Sequence, residues 1–519
     1  MSKIIQIQLE PEKAFNAEII GSMLTKSGIS FSSFVVRKRS IDARGGRVRY
    51  QLSVEYYALD EIPDNAAYEP IENQVGLQKG VLIVGAGPAG YFAAIEAIAL
   101  GLRPVIVERG KMVRERRRDL ARLTKFHEVD NDSNYCFGEG GAGTYSDGKL
   151  YTRSDKRGDI RKVLDIFCFF GADEDIKIDA RPHIGTNKLP AIMERMRHFI
   201  LANGGEIHFE KRVNDFILKN GKMTGVKCAD GSVFEESALI LATGHSADDI
   251  YRLLRDKKIE LELKPFALGV RAEHPQALID SIQYKRKNRG LYLPPAYYSL
   301  VTQVNQKGVY SFCMCPGGII APCSTETGTV VTNGWSPSKR NNPYANSGIV
   351  TEVTMEDAKG FEEYEGDPLA LLHYRRSIEE QACKAAGSTQ TAPAQKLVDF
   401  ISRKTSQTLP ACSYTPGVES VNLHEILPKN IADRLALGFV DFGKKMRGYL
   451  SEEAVLVAPE SRTSSPIRIP RDSESLMHIQ VDGLFPCAEG AGYAGGIVSA
   501  AIDGMRCIRA AKNYLEGAS

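Results

Sequence analysis

A glycine-rich turn between two short apolar runs constrains this chain more than any other feature. Residues 81–84 form the first run, a helical pattern extends to about Leu100, and residues 104–108 form the second run. Such runs suit strands that are covered on both faces of a parallel sheet. The order predicts a Rossmann-type βαβ unit, in which the turn approaches the phosphates of a dinucleotide. The turn reads Gly85-Ala86-Gly87-Pro88-Ala89-Gly90.

Each part of this turn has a mechanical role. Gly85 permits the tight bend, Gly87 lets the backbone approach a pyrophosphate, and Gly90 allows the helix to pack closely on the strand. Pro88 and Ala89 open the helix, whose free N–H groups and positive dipole end favour phosphate. The alternative is a glycine turn that binds nothing.

An acidic residue ends the second strand of the unit. Glu108 follows Gly90 at about the spacing of dinucleotide-binding units, so we expect it to accept hydrogen bonds from the adenosine ribose. Arg109, the next residue, is expected to lie against the adenine. These two residues would fix the nucleoside end of the ligand.

A second glycine-rich segment follows at residues 137–144. Four glycines in seven residues let a backbone run tightly along another part of a long cofactor. The alternative is a mobile loop. The segment supplies five candidate contacts: Gly140, Gly141, Ala142, Gly143 and Thr144.

Residues 482–504 resemble a segment of the glutathione-reductase superfamily of flavoproteins. The resemblance implies FAD, with an acidic side chain on the cofactor and a helix N-terminus at the pyrimidine edge of the flavin, where it favours negative charge. The superfamily usually has aspartate where this chain has Glu489. Residues 241–245 resemble the strand end that returns the chain to FAD, and Val213 matches the position whose backbone meets the adenine. The contacts so implied are Val213, Thr243, Gly244, Glu489, Gly490, Gly495, Gly496 and Ile497.

The whole chain resembles the predicted "NAD(FAD)-utilising dehydrogenase" family, in the branch that includes p-hydroxybenzoate hydroxylase and geranylgeranyl reductase. The resemblance implies FAD, with NAD(P)H as a possible transient co-substrate, because the chain has no second glycine fingerprint after residue 250. The strings that carry it are KRSIDAR (38–44), FGEGGAGTYSDGKL (137–150), RPHIGT (181–186), SFCMCPGG (311–318), NGWSPSKR (333–340) and ESRTSSPIRIPR (460–471).

The expected fold class is α/β, with a Rossmann-type FAD-binding domain, an inserted β-rich substrate domain and a small N-terminal α+β module. A polar, proline-containing stretch at residues 60–78 is expected to be a linker. The expected domains are residues 1–72 for the module, 79–255 and 469–519 for the two parts of the FAD-binding domain, and 256–468 for the substrate domain.

Three residues are candidates for catalysis. Cys315 occupies a position that resembles the flavin-lining strand of geranylgeranyl reductases. The alternative is that Cys313 and Cys315 are thiols on opposite faces of a strand. That arrangement would oppose a disulfide between them. Arg462 could bind a carboxylate, or belong to a salt-bridged turn. His245 could donate a proton, or cap a loop.

Composition narrows the classes of function. With 66 basic and 64 acidic side chains the net charge is +2, which argues against wholesale nucleic-acid binding. We find neither an export signal nor zinc spacing among the ten cysteines, so we expect a cytoplasmic protein with free thiols and no metal site. Residues 81–101 have the length of a membrane span, but their glycines, Pro88 and Glu96 favour a buried strand and helix.

The favoured function is a flavin-mediated redox reaction on an unknown small molecule, with hydride passing through flavin N5 near residues 311–318 and 460–466. One alternative is an FAD-containing RNA-modification or RNA-binding factor that reads RNA through the basic residues of the N-terminal module. Docking of that module onto the FAD-binding domain is the competing interpretation of those residues. Another alternative is a non-catalytic flavin-bound sensor.

Overall fold

The computed structural model describes residues 3–44, 46–58, 61, 68–151, 158–361, 364 and 366–517. Most of the N-terminal half of the predicted linker, residues 59–60 and 62–67, lies outside the described residues. The strands, in chain order, are β1 (Lys3–Leu9), β2 (Ser33–Asp42), β3 (Arg49–Tyr57), β4 (Gly80–Val84), β5 (Arg103–Val107), β6 (Glu206–His208), β7 (Val213–Lys219), β8 (Lys222–Cys228), β9 (Val233–Glu235), β10 (Leu239–Leu241), β11 (Glu262–Leu263), β12 (Phe266–Pro275), β13 (Val301–Val304), β14 (Lys307–Cys315), β15 (Ile319–Pro322), β16 (Thr332–Trp335), β17 (Tyr344–Val353), β18 (Ala392–Lys396), β19 (Val418–Ser420), β20 (Val455–Glu460), β21 (Ile467–Arg468) and β22 (Leu484–Pro486). The helices are α1 (Ala17–Lys26), α2 (Pro88–Ala99), α3 (Val113–Phe126), α4 (Ile160–Phe169), α5 (Leu189–Ala202), α6 (Asp248–Asp256), α7 (Gln276–Tyr284), α8 (Ala370–Ala385), α9 (Leu397–Ser402), α10 (Leu423–Ile426), α11 (Lys429–Lys445) and α12 (Ile497–Gly517).

A five-stranded sheet in the order β22-β10-β4-β5-β6 joins remote parts of the chain. All its pairings are parallel, and the register aligns Val84 with Val107 and Leu241. The strands therefore end at one edge, where Gly85, Glu108 and Ala242 emerge. Ligands of open α/β sheets bind at this carboxyl edge.

Two helices cover one face of the parallel sheet. The apolar run of β4 is buried along its whole length, as expected for a strand covered on both faces. Helix α12, at the C-terminal end, packs directly on α2, because Gly504 lacks a side chain: a Cβ there would overlap the carbonyl oxygen of Ala89. Residues 81–101 are thus a buried strand and helix, and among the described residues no helix is long and apolar enough to cross a membrane.

A larger sheet lies in the chain between the two parts of the parallel sheet. Its order is β13-β14-β17-β12-β20-β18-β19, and its strands extend from Phe266 to Glu460. Neighbouring strands are antiparallel except for β18 and β19. The mixed α/β class expected from the sequence is confirmed.

The N-terminal module is an antiparallel sheet in the order β1-β3-β2 with α1 packed on it. Its apolar core is continuous with that of the larger sheet. Arg39 forms ion pairs with Asp175 at 2.9 Å and Asp179 at 2.7 Å, and the Tyr50 hydroxyl donates to the carbonyl of Tyr292 at 3.0 Å. The module is therefore docked onto both of the other parts of the chain.

Candidate functional site

A long cleft lies at the carboxyl edge of the parallel sheet and extends to the larger sheet. It encloses roughly 1450 Å³ of empty space, its open mouth included. Most of the residues predicted to bind or react meet in its walls. These are Gly85, Gly87, Pro88, Ala89, Glu108, Arg109, Gly141, Ala142, Gly143, Val213, Thr243, Gly244, His245, Arg462, Glu489, Gly495, Gly496 and Ile497.

The first glycine turn forms the base of the cleft. Gly85 has φ +109°, a conformation that glycine adopts without strain, and a Cβ there would overlap the carbonyl oxygen of Ala242. Gly90 packs against the carbonyl oxygen of Gly85, beneath the turn, and does not line the cleft. Helix α2 starts at Pro88, and within the described residues no side chain caps Gly87. Its first N–H groups therefore remain available to an anion.

The second glycine segment lies directly on the first. A Cβ on Gly141 would be 3.1 Å from the Cα of Gly87, and one on Gly143 would be 3.3 Å from Pro88 and 3.4 Å from Ile497. Gly140 and Thr144 pack behind this surface rather than lining the cleft. Three glycine-rich segments that are remote in sequence thus form one main-chain surface.

Glu108 ties the first two segments together. Its carboxylate is buried and accepts hydrogen bonds from the main-chain N–H groups of Ala86 at 2.8 Å, Gly110 at 2.9 Å and Gly138 at 2.9 Å. The sequence predicted only a contact with ribose. The three main-chain bonds show that Glu108 also fixes the shape of both loops.

Arg109 lies in the wall at the end of the cleft marked by Val213. Its guanidinium stacks over the Phe137 ring, 4.1 Å from the centroid, and pairs with Asp132 at 2.7 Å and Asp249 at 2.9 Å. These contacts hold the planar group in one orientation. Two basic neighbours of Val213 that sequence reasoning missed, Lys211 and Arg212, also line this end.

The N-terminus of α12 borders the middle of the cleft. A Cβ on Gly495 or Gly496 would meet no described atom within 4 Å, so this stretch of main chain faces open space. Gly490 does not line the cleft; it packs on Gly244, and Tyr251 donates to its carbonyl at 2.7 Å. The open surface beside a helix N-terminus is suited to a flat or anionic group.

His245 joins two other parts of the site. Its Nε2 lies 3.0 Å from the carbonyl oxygen of Arg462, and its Nδ1 lies 3.4 Å from the Glu489 carboxylate. The imidazole therefore connects the larger sheet's end of the cleft with the segment that precedes α12. Its Nδ1 therefore faces a carboxylate at the surface of the cleft.

Arg462 is held from behind by a buried carboxylate. Its Nη2 donates to Glu379 at 3.0 Å and its Nε at 3.2 Å, whereas Nη1 has no hydrogen-bond partner among the described residues. Burial acts to lower the pKa of Arg462, but Glu379 and Asp248 raise it above its ordinary value, so the group stays charged. A buried donor without a partner, in the wall of a cleft, indicates a place for a polar ligand atom.

Of the two thiols on β14, Cys313 lines the cleft and the predicted candidate Cys315 lies buried behind it. Strand β14 changes register between Phe312 and Cys315, and Cys313 has φ +47°. The expectation that the two thiols lie on opposite faces is wrong, because residues two apart in an extended strand point to the same face, and here the irregular backbone also interrupts the regular alternation. Both thiols lie near the amine of Lys149, at 3.5 Å from Cys313 and 3.7 Å from Cys315. Lys149 was missed as a functional candidate, although it lies in the string 137–150.

One group of described residues has the proximity of metal ligands. It consists of Cys487, Asp503 and Cys507, all buried. Arg471 pairs with Asp503 at 2.7 Å and lies 3.4 Å from the Cys507 sulfur. A guanidinium therefore already supplies the positive charge that these groups attract.

Two family models match the chain. Residues 265–463 match "FAD-dependent protein, C-terminal domain-like", and residues 1–57 match a domain of unknown function. An uncharacterised protein of Clostridium beijerinckii is 37% identical over 524 residues, covering 97% of this chain and 96% of that protein. The chain belongs to the family of this clostridial protein. Its larger sheet falls within the domain that the first model describes as FAD-dependent.

Solved structures similar to this family member include a halogenase, a reductase-like protein and a tetracycline destructase. A mutant of halogenase PltM in complex with FAD is 11% identical with a TM-score of 0.38, covering 85% of this chain and 70% of that one. A geranylgeranyl bacteriochlorophyll reductase-like protein of Thermoplasma acidophilum is 12% identical with a TM-score of 0.36, covering 85% and 80%. Tetracycline destructase Tet(51) is 14% identical with a TM-score of 0.27, covering 58% and 64%. Scores of this size establish no detailed correspondence between sites.

The cleft of this family member fits an adenine dinucleotide with a flavin. Uncapped helix N-termini and glycine surfaces are suited to phosphates and to close main-chain contact. Ala89, Gly141 and Gly495 belong to the three segments that supply those surfaces. The unpartnered Arg462 donor and the open Gly495–Gly496 surface lie where a further ring system would be accommodated.

Proposed function

We propose that this protein is an FAD-dependent oxidoreductase of the "NAD(FAD)-utilising dehydrogenase" type. One observation carries the proposal: three glycine-rich segments, each beside a helix N-terminus or a turn, line a single cleft at the carboxyl edge of a parallel sheet. The match of residues 265–463 to a FAD-dependent domain supports the same cofactor. FAD, when bound, would supply two-electron redox chemistry.

The chain's own groups have distinct tasks in this proposal. The N–H groups at the start of α2 would bind the diphosphate, and Arg109 and Val213 would border the adenine. The N-terminus of α12 would favour negative charge at the flavin's pyrimidine edge, because the helix dipole is positive there. Arg462 would donate its free Nη1 to an anionic group of the substrate or cofactor.

His245 would hold a proton at the surface of the cleft. Its two nitrogens lie between the Arg462 carbonyl and the Glu489 carboxylate, so the ring orientation is fixed. A group in this position can deliver a proton when charge changes in the cleft. NAD(P)H would reach the cleft transiently, through its open mouth.

The first test is cofactor uptake by the full-length protein. Purified protein should carry, or take up from solution, about one FAD per chain, with a visible flavin spectrum. Rapid mixing with NADH or NADPH without oxygen should then bleach the bound flavin. Protein that takes up no FAD would overturn the assignment of the cleft, whereas bound FAD that neither nicotinamide bleaches would overturn only the dehydrogenase type.

A matched pair of variants ties the uptake to this cleft. Gly87→Val places a branched side chain on the proposed phosphate surface and should abolish FAD uptake. Gly387→Ala changes a glycine of positive φ that has no described atom within 4 Å of its Cβ, and lies after α8. It should bind FAD as the wild type does.

A further inference from the structure

Two thiols and an amine meet where β14 reaches the wall of the cleft. The Lys149 amine lies 3.5 Å from the Cys313 sulfur and 3.7 Å from the Cys315 sulfur. The Cys315 thiol donates to the Cys313 carbonyl at 3.3 Å. Cys313 is half-buried and lines the cleft, whereas Cys315 is fully buried behind it.

A distortion of the backbone lies where both sulfurs approach one amine. In an extended strand, residues two apart point to the same face but lie apart along the strand, and their neighbours point away. Here the register shift between Phe312 and Cys315, with φ +47° at Cys313, draws the two sulfurs to one amine. A non-glycine residue in this left-handed region is strained, and functional sites often retain such strain.

Charge balance around the amine points to an ionised thiol. Asp147, two residues before Lys149 in the chain, already pairs with Arg340 at 2.9 Å. Lys149 has no carboxylate within ion-pair distance among the described residues. A lysine enclosed in this way needs a counterion, and the Cys313 sulfur is the group positioned to supply it.

The chemistry of the thiols agrees with this geometry. The neighbouring Cys315 thiol holds the pKa of Cys313 well below its ordinary value, against the effect of burial, and Lys149 and Arg271 act in the same direction. The neighbouring Cys313 and burial raise the pKa of Cys315. Burial acts to lower the pKa of Lys149, but the two thiols raise it. Beside the Lys149 amine, Cys313 is therefore the thiol that we expect to carry the negative charge.

We propose that Cys313 and Cys315 form a redox-active dithiol, with Lys149 as its positioning residue, that transfers an electron pair to FAD in the adjoining cleft. The proposal rests on the proposed function for its electron acceptor. The Cys313–Cys315 S–S bond forms and the Cys315 S–H bond breaks. The electron pair and that proton pass to oxidised FAD, so that atoms and charge balance. Cys313 is the member of the pair that lines the cleft.

The first experiment tests the thiols without any turnover. Reduced full-length protein is treated with iodoacetamide near pH 7, and alkylation of each cysteine is followed by peptide mass spectrometry. A thiolate at Cys313 should react about thirtyfold faster than an ordinary thiol, of which only a few per cent is ionised at this pH. Cys412 is also half-buried and is the internal comparison; burial raises its pKa to about 11, so it should react more slowly still than an ordinary thiol. Equal rates at Cys313 and Cys412 would overturn the proposal.

The role of Lys149 has its own readout. Lys149→Met should shift the pH at which Cys313 becomes reactive to a higher value, and Lys149→Arg should restore most of the reactivity because it restores the positive charge. A purely structural lysine would leave that pH profile where it is. If Lys149→Met fails to fold, the profile of Lys149→Arg against the wild type still reports on the ion pair.

The second experiment tests electron transfer. Protein reduced with dithiothreitol, freed of reductant and mixed with one equivalent of FAD without oxygen should lose two thiols per chain and bleach the flavin. Peptide mapping should place the disulfide between Cys313 and Cys315. Cys313→Ser and Cys315→Ser should each bind FAD but produce neither change, whereas Cys412→Ser should behave as the wild type.

The outcomes separate the two proposals. FAD that binds without bleaching, in protein that retains all its thiols, overturns the dithiol and leaves the proposed function standing. Protein that binds no FAD overturns the proposed function. In that case a reactive Cys313, and a Cys313–Cys315 disulfide formed with a chemical oxidant, would still support the redox pair itself.

Discussion

Glu379 provides a direct test of the buried charge network behind the cleft. Its carboxylate accepts from Arg462 at 3.0 Å and from the Ser461 hydroxyl at 2.6 Å, and lies 3.5 Å from the Nε of Arg375. Arg375 in turn pairs with Asp248 at 2.7 Å. Two buried arginines are thus balanced by two buried carboxylates, and Glu379→Gln removes one of them.

The geometry sets the size of the effect. Two unit charges about 3 Å apart, at an effective dielectric constant of about 20, attract each other by about 5 kcal/mol. The neutral amide regains part of this, because it no longer has to be stripped of water as a charge. Leaving a buried charge without its partner costs about 3–5 kcal/mol in comparable cases. We therefore expect Glu379→Gln to lower the free energy of unfolding by about 4 kcal/mol.

The neighbouring residue supplies a matched control. Glu380 lies on the same helix and pairs with Arg376 at 2.8 Å, but both side chains are about one-third exposed. Such partly exposed pairs contribute at most about 0.5 kcal/mol. Glu380→Gln should therefore change stability little.

Urea unfolding of the FAD-free protein measures both variants. The only tryptophan, Trp335, lies on β16 next to the cleft-lining Gly334 and reports the transition by fluorescence. Glu379→Gln should shift the midpoint strongly with little change in the denaturant slope, whereas Glu380→Gln should not. Equal midpoints for the two variants would refute the charge-balance reasoning. A second consequence is weaker FAD binding by Glu379→Gln, because Arg462 loses its anchor.

Three further predictions follow from single residues. Gly504→Ala should lower stability by about 1–3 kcal/mol, because the added Cβ would overlap the Ala89 carbonyl. This cost should exceed the gain from the higher helix propensity of alanine, and thermal melting against the wild type measures the difference. Gly495→Ala should leave the stability of the FAD-free protein unchanged to within about 0.5 kcal/mol, since its Cβ meets only open space, but should weaken FAD binding at least roughly tenfold, or 1.4 kcal/mol, in a fluorescence titration. Burial raises the pKa of Glu273 to about 7, so the folded state binds the proton more tightly than the unfolded state. The free energy of unfolding should therefore fall by up to about 3 kcal/mol as pH rises from about 4.5 to 7. Thermal melts at pH 5 and 8 should show that Glu273→Gln removes this dependence.

The glycine-rich turn could be predicted because its signals are local. Gly85 and Gly90 are required by contacts within a few residues, and the strand and helix on either side have their own apolar patterns. The start of α12 was expected from the resemblance of residues 482–504 to a flavoprotein segment. Sequence-distant pairings lack such signals. Glu379 and Arg462 are separated by 83 positions, and nothing in either segment indicates its partner.

The orientation of Cys313 could not be predicted, because it depends on an irregularity. A period of two is the right expectation for a strand, and β14 follows it as far as Phe312. The change of register then depends on how β17 pairs with β14, which is set by the larger sheet as a whole. The sequence strings therefore indicated the segment, but not that Cys313 rather than Cys315 would line the cleft.

The buried charges behind the cleft explain why Lys149 stands out. Three arginines there each have a carboxylate of their own: Arg271 pairs with Glu460, Arg375 with Asp248, and Arg462 with Glu379. These permanent pairs fix the wall, since neither partner can change its charge at moderate cost. Lys149 alone among the four cations is matched, within the described residues, to thiols, whose charge changes on oxidation. A wall otherwise neutral and rigid thus contains one ion pair that a redox step would break. Formation of a Cys313–Cys315 disulfide would leave the Lys149 charge without a counterion, and this would favour a negative charge on the group that occupies the adjoining cleft.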